Sequence, residues 1–184
     1  MKLLKEILEI LHILQYRSSP PATYSASVRQ LATAATATDI FEIAGAGRKL
    51  IKILHLQFSG VATAAGAFSF GLLLRDSPNS AGTSTAPTAI PHDPRDPPAA
   101  ASLKAYTANP TVGNSVGTMQ LIRATVTTAA GAITQPNYEF RVAEYKGKPV
   151  TLVGDGGTLA INLASTTITG GAIDIDITWT EEDY

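Results

Sequence analysis

Cysteine is absent from the chain, and that absence removes disulfides, thiolate metal sites and cysteine nucleophiles together. It also leaves the redox compartment open. Charge is scarce: Asp, Glu, Lys and Arg make up 16% of the 184 residues, against about 25% in ordinary globular proteins. The net charge is −1, so nothing draws the chain as a whole to nucleic acid or to an anionic membrane. A single strongly apolar helical stretch is present, and it stops near Gln15, short of the roughly 20 residues a spanning helix needs. Ala, Thr, Ser and Gly fill the space that charge leaves. Such a composition implies a surface covered by neighbours, or a loop-rich β fold with neutral faces. Apolar residues reach 45%, enough to fill the core of one domain carrying an appendage.

The apolar stretch is the opening one, "MKLLKEILEILHIL". Leu3, Leu4, Ile7, Leu8, Ile10, Leu11, Ile13 and Leu14 recur at helical spacing, while Lys2, Lys5, Glu6, Glu9 and His12 occupy the remaining arc. Lys2 and Glu6, like Lys5 and Glu9, stand four apart and pair along a helix. Glu6 and Glu9 interrupt the run that a signal peptide requires. Leu3, Ile7, Ile10 and Leu14 have the 4-3-4 spacing of a coiled-coil seam, over barely two heptads. Residues 17–37, "RSSPPATYSASVRQLATAATA", are poor in large apolar groups and carry Pro20-Pro21. They read as an extended or disordered arm. A helix on such a tether is a docking device for another protein chain, with Leu3, Leu4, Ile7, Leu8, Ile10, Leu11 and Leu14 as its contact residues. The alternative is a helix packed on its own domain.

From Thr38 the period changes to two. Strands are predicted at 39–44, 49–59, 67–75, 118–127, 137–142, 150–153, 158–163 and 172–180. In "KLIKILHLQFS", Leu50, Leu54, Leu56 and Phe58 fall on one face and Ile51, Ile53, His55 and Gln57 on the other. Phe68, Phe70, Leu72 and Leu74 are predicted to point inward. The last strand is the cleanest, with Ile173, Ile175, Ile177 and Trp179 against Asp174, Asp176, Thr178 and Thr180. About eight strands joined by glycine-rich turns predict an all-β antiparallel sandwich of jelly-roll type. The domain plan is a docking helix over 1–16, an arm over 17–37 and a sandwich over 38–184. Residues 76–117, with their prolines, are predicted to lie over the outside of the sandwich or between subunits, with little regular structure.

Few residues invite chemistry. His92, Asp93 and Asp96 in "IPHDPRDPP" match no zinc or calcium ligand pattern, and the Asp residues are predicted to bond backbone amides in turns. Asp174 and Asp176 could align carboxylates for a cation or for acid–base work, with Glu181, Glu182 and Asp183 following. A solvated strand face and an acidic end explain them more simply. "GDGGT" and "GAGR" precede no helix and are turns rather than phosphate loops. Ser59 and Ser69 sit in no nucleophile motif, and Trp179 reads as core. Tyr106, Tyr138 and Tyr145 are too scattered to form a sugar platform. No catalytic residue, metal site or cofactor is predicted, and an enzyme is the weakest option.

The stretches "TDIFEIAGAGRKLIKI", "GTSTAPTAIPHD", "AYTANPTVG", "TLVGDGGTLAINL" and "DITWTEE" carry a resemblance. Through them the body resembles small phage and prophage virion structural proteins. The resemblance implies a virion component of jelly-roll type, on the head rather than the tail, and it supplies no site residues. The expectation is a capsid decoration, cement or head-fibre-base protein, trimeric. Its partners would be the major capsid protein or other virion subunits, with no nucleic acid and no membrane span. The alternatives are a tail or baseplate component and a receptor- or glycan-binding jelly-roll module.

Overall fold

The computed structural model describes residues 5–6, 20–32, 38–126, 131–132, 138–139, 148–164 and 171–183. The long strands arise where the side chains alternate. They are β1 (Ala22–Ala32), β2 (Asp39–Ala44), β3 (Lys49–Ala62), β4 (Gly66–Arg75), β8 (Ser115–Val126), β12 (Thr158–Leu163) and β13 (Ala172–Asp183). Shorter ones are β5 (Ser84–Thr85), β6 (Ile90–Pro91), β7 (Ser102–Tyr106), β9 (Gly131–Ala132), β10 (Tyr138–Glu139) and β11 (Thr151–Val153).

They form two antiparallel sheets. The first runs β6-β1-β13-β3, with β9, β10 and β11 all pairing along the far edge of β3. The second runs β5-β7-β2-β12-β4-β8. The chain crosses between sheets at most steps, and among the described residues no two strands consecutive in sequence are hydrogen-bonded to each other. Side chains from both sheets share one core, including Phe41, Phe70 and Leu159 from the second and Phe58, Ile175 and Trp179 from the first. Phe58 and Phe70 meet across it at 4.5 Å between ring centres.

The last strand behaves as its alternation predicts. Ile173, Ile175, Ile177 and Trp179 are buried, and β13 lies between β1 and β3 in the middle of its sheet. Phe68, Phe70 and Leu72 are buried, with Leu74 packed partly against the core. In β3, however, neither predicted face is the inner one. Ile51 and Ile53 are buried, and then Leu56 and Phe58. The register explains the switch: Trp179 pairs with Ile53 and Thr178 with His55, which leaves Leu54 as an extra residue. That β-bulge reverses which side of the strand faces inward.

Two boundaries also need correction. Residues 22–32 belong to the sandwich, not to an arm, so the sandwich begins at Ala22 rather than Thr38. Tyr24, Ala26 and Leu31 are buried in β1, and Tyr24 stacks on Trp179 at 5.7 Å. The large apolar groups there come from β13, which is why β1 looks unlike a strand in isolation. The excursion between β4 and β8 is also more ordered than its prolines predict. It adds β5 and β7 to one sheet and β6 to the other. Both additions lie on the β1/β2 side, so the excursion closes that edge of the sandwich. The docking residues Leu3, Leu4, Ile7, Leu8, Ile10, Leu11 and Leu14 lie outside the described residues.

Glycine is required where the two end turns touch. Gly45 donates its N–H to the Gly157 carbonyl at 2.8 Å, and a Cβ at Gly45 would collide with the Gly154 carbonyl oxygen.

Burying an isoleucine side chain is worth about 1.5–3 kcal/mol, and a carboxylate in its place has no partner in the core. Ile175→Asp should therefore abolish cooperative thermal unfolding followed by circular dichroism. A melting curve like that of the wild type would contradict the strand assignment.

Candidate functional site

Polar chemistry concentrates on the outer face of the second sheet, beneath the two ends of the excursion. A second bulge builds it. Along β2, Phe41 pairs with Ile161 and Asp39 with Asn162, so Ile40 is extra. In a regular strand Asp39 and Glu42, three apart, would face opposite ways. The bulge brings both to the outer face while Ile40 and Phe41 both enter the core. Both carboxylates are 0% exposed.

Every oxygen is occupied. Asp39 accepts two bonds from Arg75 (Nε and Nη2, both 2.7 Å), one from Asn79 Nδ2 (2.9 Å) and one from Asn162 Nδ2 (2.6 Å). Glu42 accepts from the Tyr106 hydroxyl (2.8 Å), the Asn79 backbone N–H (2.9 Å) and the Lys104 ammonium (2.9 Å). Arg75 spends a further N–H on the Gly113 carbonyl, and Asn79 Oδ1 accepts from the Gly113 N–H. Gly113 must be glycine, because a Cβ there would overlap the Ser77 carbonyl. Burial, followed by the hydrogen bond to Glu42 and its negative charge, raises the Tyr106 pKa far above the ordinary tyrosine value of 10.0. The phenol stays neutral and acts as a donor.

A third buried carboxylate binds the excursion part-way along, at Ala100 and Ala101. Glu181 was predicted to belong to an acidic, solvated tail, but it is buried. It accepts from the Ala100 and Ala101 backbone N–H groups (2.9 and 3.0 Å) and from the Trp179 indole N–H (2.9 Å). Its neighbours do follow the exposed pattern: Glu182 pairs with Lys52 and Asp183 with Lys49. Tyr24 donates its hydroxyl to the Pro97 carbonyl, and its pKa is raised by burial and then by the charges of Glu181 and Asp96.

The residues singled out for possible chemistry do not converge. His92 is exposed; its Nε2 lies 2.8 Å from Ser25 Oγ, and its backbone N–H binds the Thr23 carbonyl. Asp93 accepts the Arg95 N–H at 3.0 Å, the turn bond predicted for it. The side-chain and backbone hydrogen bonds from Arg95 pull its pKa down to about 2. Asp96 contributes only its backbone N–H, to the Asp93 carbonyl. Asp174 accepts the Gln30 N–H, holding Gln30 at a positive φ of 52° within the β1 bulge. Asp176 accepts from Ser27 Oγ and, at 3.5 Å, from Arg29. Tyr138 and Tyr145 have no described side chains, while Tyr106 is buried in the network. Among the described residues no three His, Asp or Glu side chains group as a metal site would need. A shallow cleft of about 340 Å³ between Pro87, Pro98 and Leu103 has no charged lining.

Asp39, Glu42, Arg75 and Asn79 were not anticipated. The one available signal was two carboxylates inside "DIFEIA", a short and otherwise apolar strand. Comparisons of the chain with protein-family models, curated proteins and solved structures give no match. No helix among the described residues is long and apolar enough to cross a membrane.

Removing Arg75 leaves Asp39 buried with its main countercharge gone. Arg75→Ala should lower stability by about 3–5 kcal/mol, read from denaturant unfolding. A loss within the range of ordinary surface substitutions would show the pair to be dispensable. Tyr106 supplies a pH signature. Its raised pKa stabilises the fold fully below 10.0, and that contribution is lost as pH climbs past it. In an alkaline titration of phenolate absorbance, Tyr106 should ionise only together with unfolding. In Tyr106→Phe that late step should shrink.

Proposed function

We propose that this chain is a virion structural protein of jelly-roll type, without catalytic activity, serving as a capsid decoration, cement or head-fibre-base protein. The observation that carries the reading is the strand order. Four strands in the order β1-β13-β3-(β9–β11) face four in the order β2-β12-β4-β8. Such an order is what two Greek keys would produce, and it supports the jelly-roll reading. It supports the sequence resemblance without depending on it. The buried network adds weight, since its carboxylates are consumed by internal donors and leave no open position for substrate. Small neutral side chains suit close packing between subunits, because ordering them costs little entropy.

Attachment falls to the N-terminal segment. With Ala22 already in β1, the tether between Leu14 and the sandwich is short, so the helix would act close to the sandwich end where β1 starts. The partner would be the major capsid protein, another virion subunit or a neighbouring copy, and trimers are the assembly we favour.

Deleting residues 1–16 should leave the sandwich folded, with nearly unchanged melting, and should abolish incorporation into particles. Ile7→Asp with Leu11→Asp should do the same without shortening the chain. A truncated chain that still occupies particles in full would move attachment to the sandwich surface. Copy number in purified particles, set against retention on cell-surface glycans, separates decoration from receptor binding.

A further inference from the structure

Among the described residues β8 is the last strand of the second sheet, paired there with β4 alone. Its residues 115–121 are exposed without a break, whereas Ile122, Ala124 and Val126 further along are buried. Val116 is 67% exposed, Met119 45% and Leu121 64%. No charged residue and no proline occurs over 112–122, although edge strands ordinarily carry one or the other. The β4 pairing skips twice, between Leu72 and Leu73 and between Leu74 and Arg75, so Met119 and Val116 are bulged. An edge broken in this way is a poor template for another strand, which needs a regular ladder. A helix brings its own hydrogen bonds and needs only apolar contact.

The sequence predicts such a helix at residues 3–14. We propose that the apolar arc of residues 3–14 from one copy docks on the β8 edge of a second copy, against Val116, Met119 and Leu121. This rests on the docking-helix reading above and names its partner. The dimensions agree: Val116 to Leu121 spans about 17 Å of strand, and Leu3 to Leu14 about 17 Å of helix. The position agrees too. Ala22 pairs with Glu181 at the end of β13, while Ser115 is linked through Arg75 and Thr158 to Ala44, beside the turn that leads into Lys49. Lys49 pairs with Asp183, so both features lie at one end of the sandwich. Residues 15–19 add a reach of about 20 Å. The uncharged strip meets the apolar arc with no charge to desolvate, and Lys2, Lys5, Glu6 and Glu9 stay in water. Each copy would then give a helix and receive one, a head-to-tail contact that closes into a ring such as a trimer.

The cysteine-free chain permits a direct test. Full-length Leu8→Cys and Leu121→Cys chains are mixed and oxidised. The expected product is a covalent dimer joining the two variants, lost when Ile7→Asp and Leu11→Asp are added to the first. Leu121→Asp should also dissociate the oligomer in sedimentation while leaving the melting temperature unchanged. Absence of the mixed dimer overturns the proposal. So does a link formed only within one chain by the double variant Leu8→Cys/Leu121→Cys. If removal of residues 1–16 still dissociates the assembly in either case, the docking reading survives and only its partner surface is wrong. If that removal leaves assembly untouched, both fail.

Discussion

The two parallel hydrogen bonds from Arg75 to Asp39 hold together everything on the outer side of the second sheet. Both groups are buried, at 4% and 0% side-chain exposure, so neither ion is stable there without the other. Arg75 ends β4, and Asp39 begins β2. Their pairing also fixes Asn79 and Gly113, the two points where the excursion leaves and rejoins the sandwich. Glu42 completes the set from the same bulged strand, gripping Asn79, Lys104 and Tyr106. The bulge at Ile40 is the geometric condition for all of this, because it alone lets residues three apart share a face.

Glu181 does for the first sheet what Asp39 does for the second. It catches the backbone at Ala100 and Ala101, and the Trp179 indole that it also holds belongs to the core. The excursion is thus tied at both ends and in the middle, where His92 and Tyr24 bind across to it and from it. It seals the β1/β2 side of the sandwich. Proline makes the long route affordable by limiting the freedom of the unfolded chain. On β8, at the opposite end of the second sheet, Val116, Met119 and Leu121 are exposed.

A fold organised this way spends its buried charge on architecture. Carboxylates in an active site keep a lone pair or a proton available to a reactant, whereas Asp39 and Glu42 are fully committed to donors within 2.9 Å. The proposed virion role follows from the same economy: a rigid, neutral, small-residue body whose interactions lie in surface and terminus rather than in a cleft.

The sequence by itself determined the class of fold and most of its strands. Alternation in "AIDIDITWT" named the inner face of β13 because the bulges beside it put their extra residues in β1 and β3 and leave β13 itself unbroken, and "DIFEIA" and "TLAINL" coincide with β2 and β12. Residues 22–32 were unreadable because their first half is mostly Ala, Ser and Thr and a bulge between Val28 and Leu31 breaks the alternation, so the period shows only beside the partner that supplies Trp179 and Ile175. The inner face of β3 and the meeting of Asp39 with Glu42 were decided by bulges at Leu54 and Ile40. A bulge adds one residue against a partner strand, and no local pattern marks which residue it will be. Arg75 and Asn79 lie 36 and 40 residues from Asp39 along the chain, and pairing at that separation is settled only when the sheets close. The chemistry of each side chain was written in the sequence, but which carboxylates would be buried, and against which donors, was decided by the register of strands that meet only in the folded state.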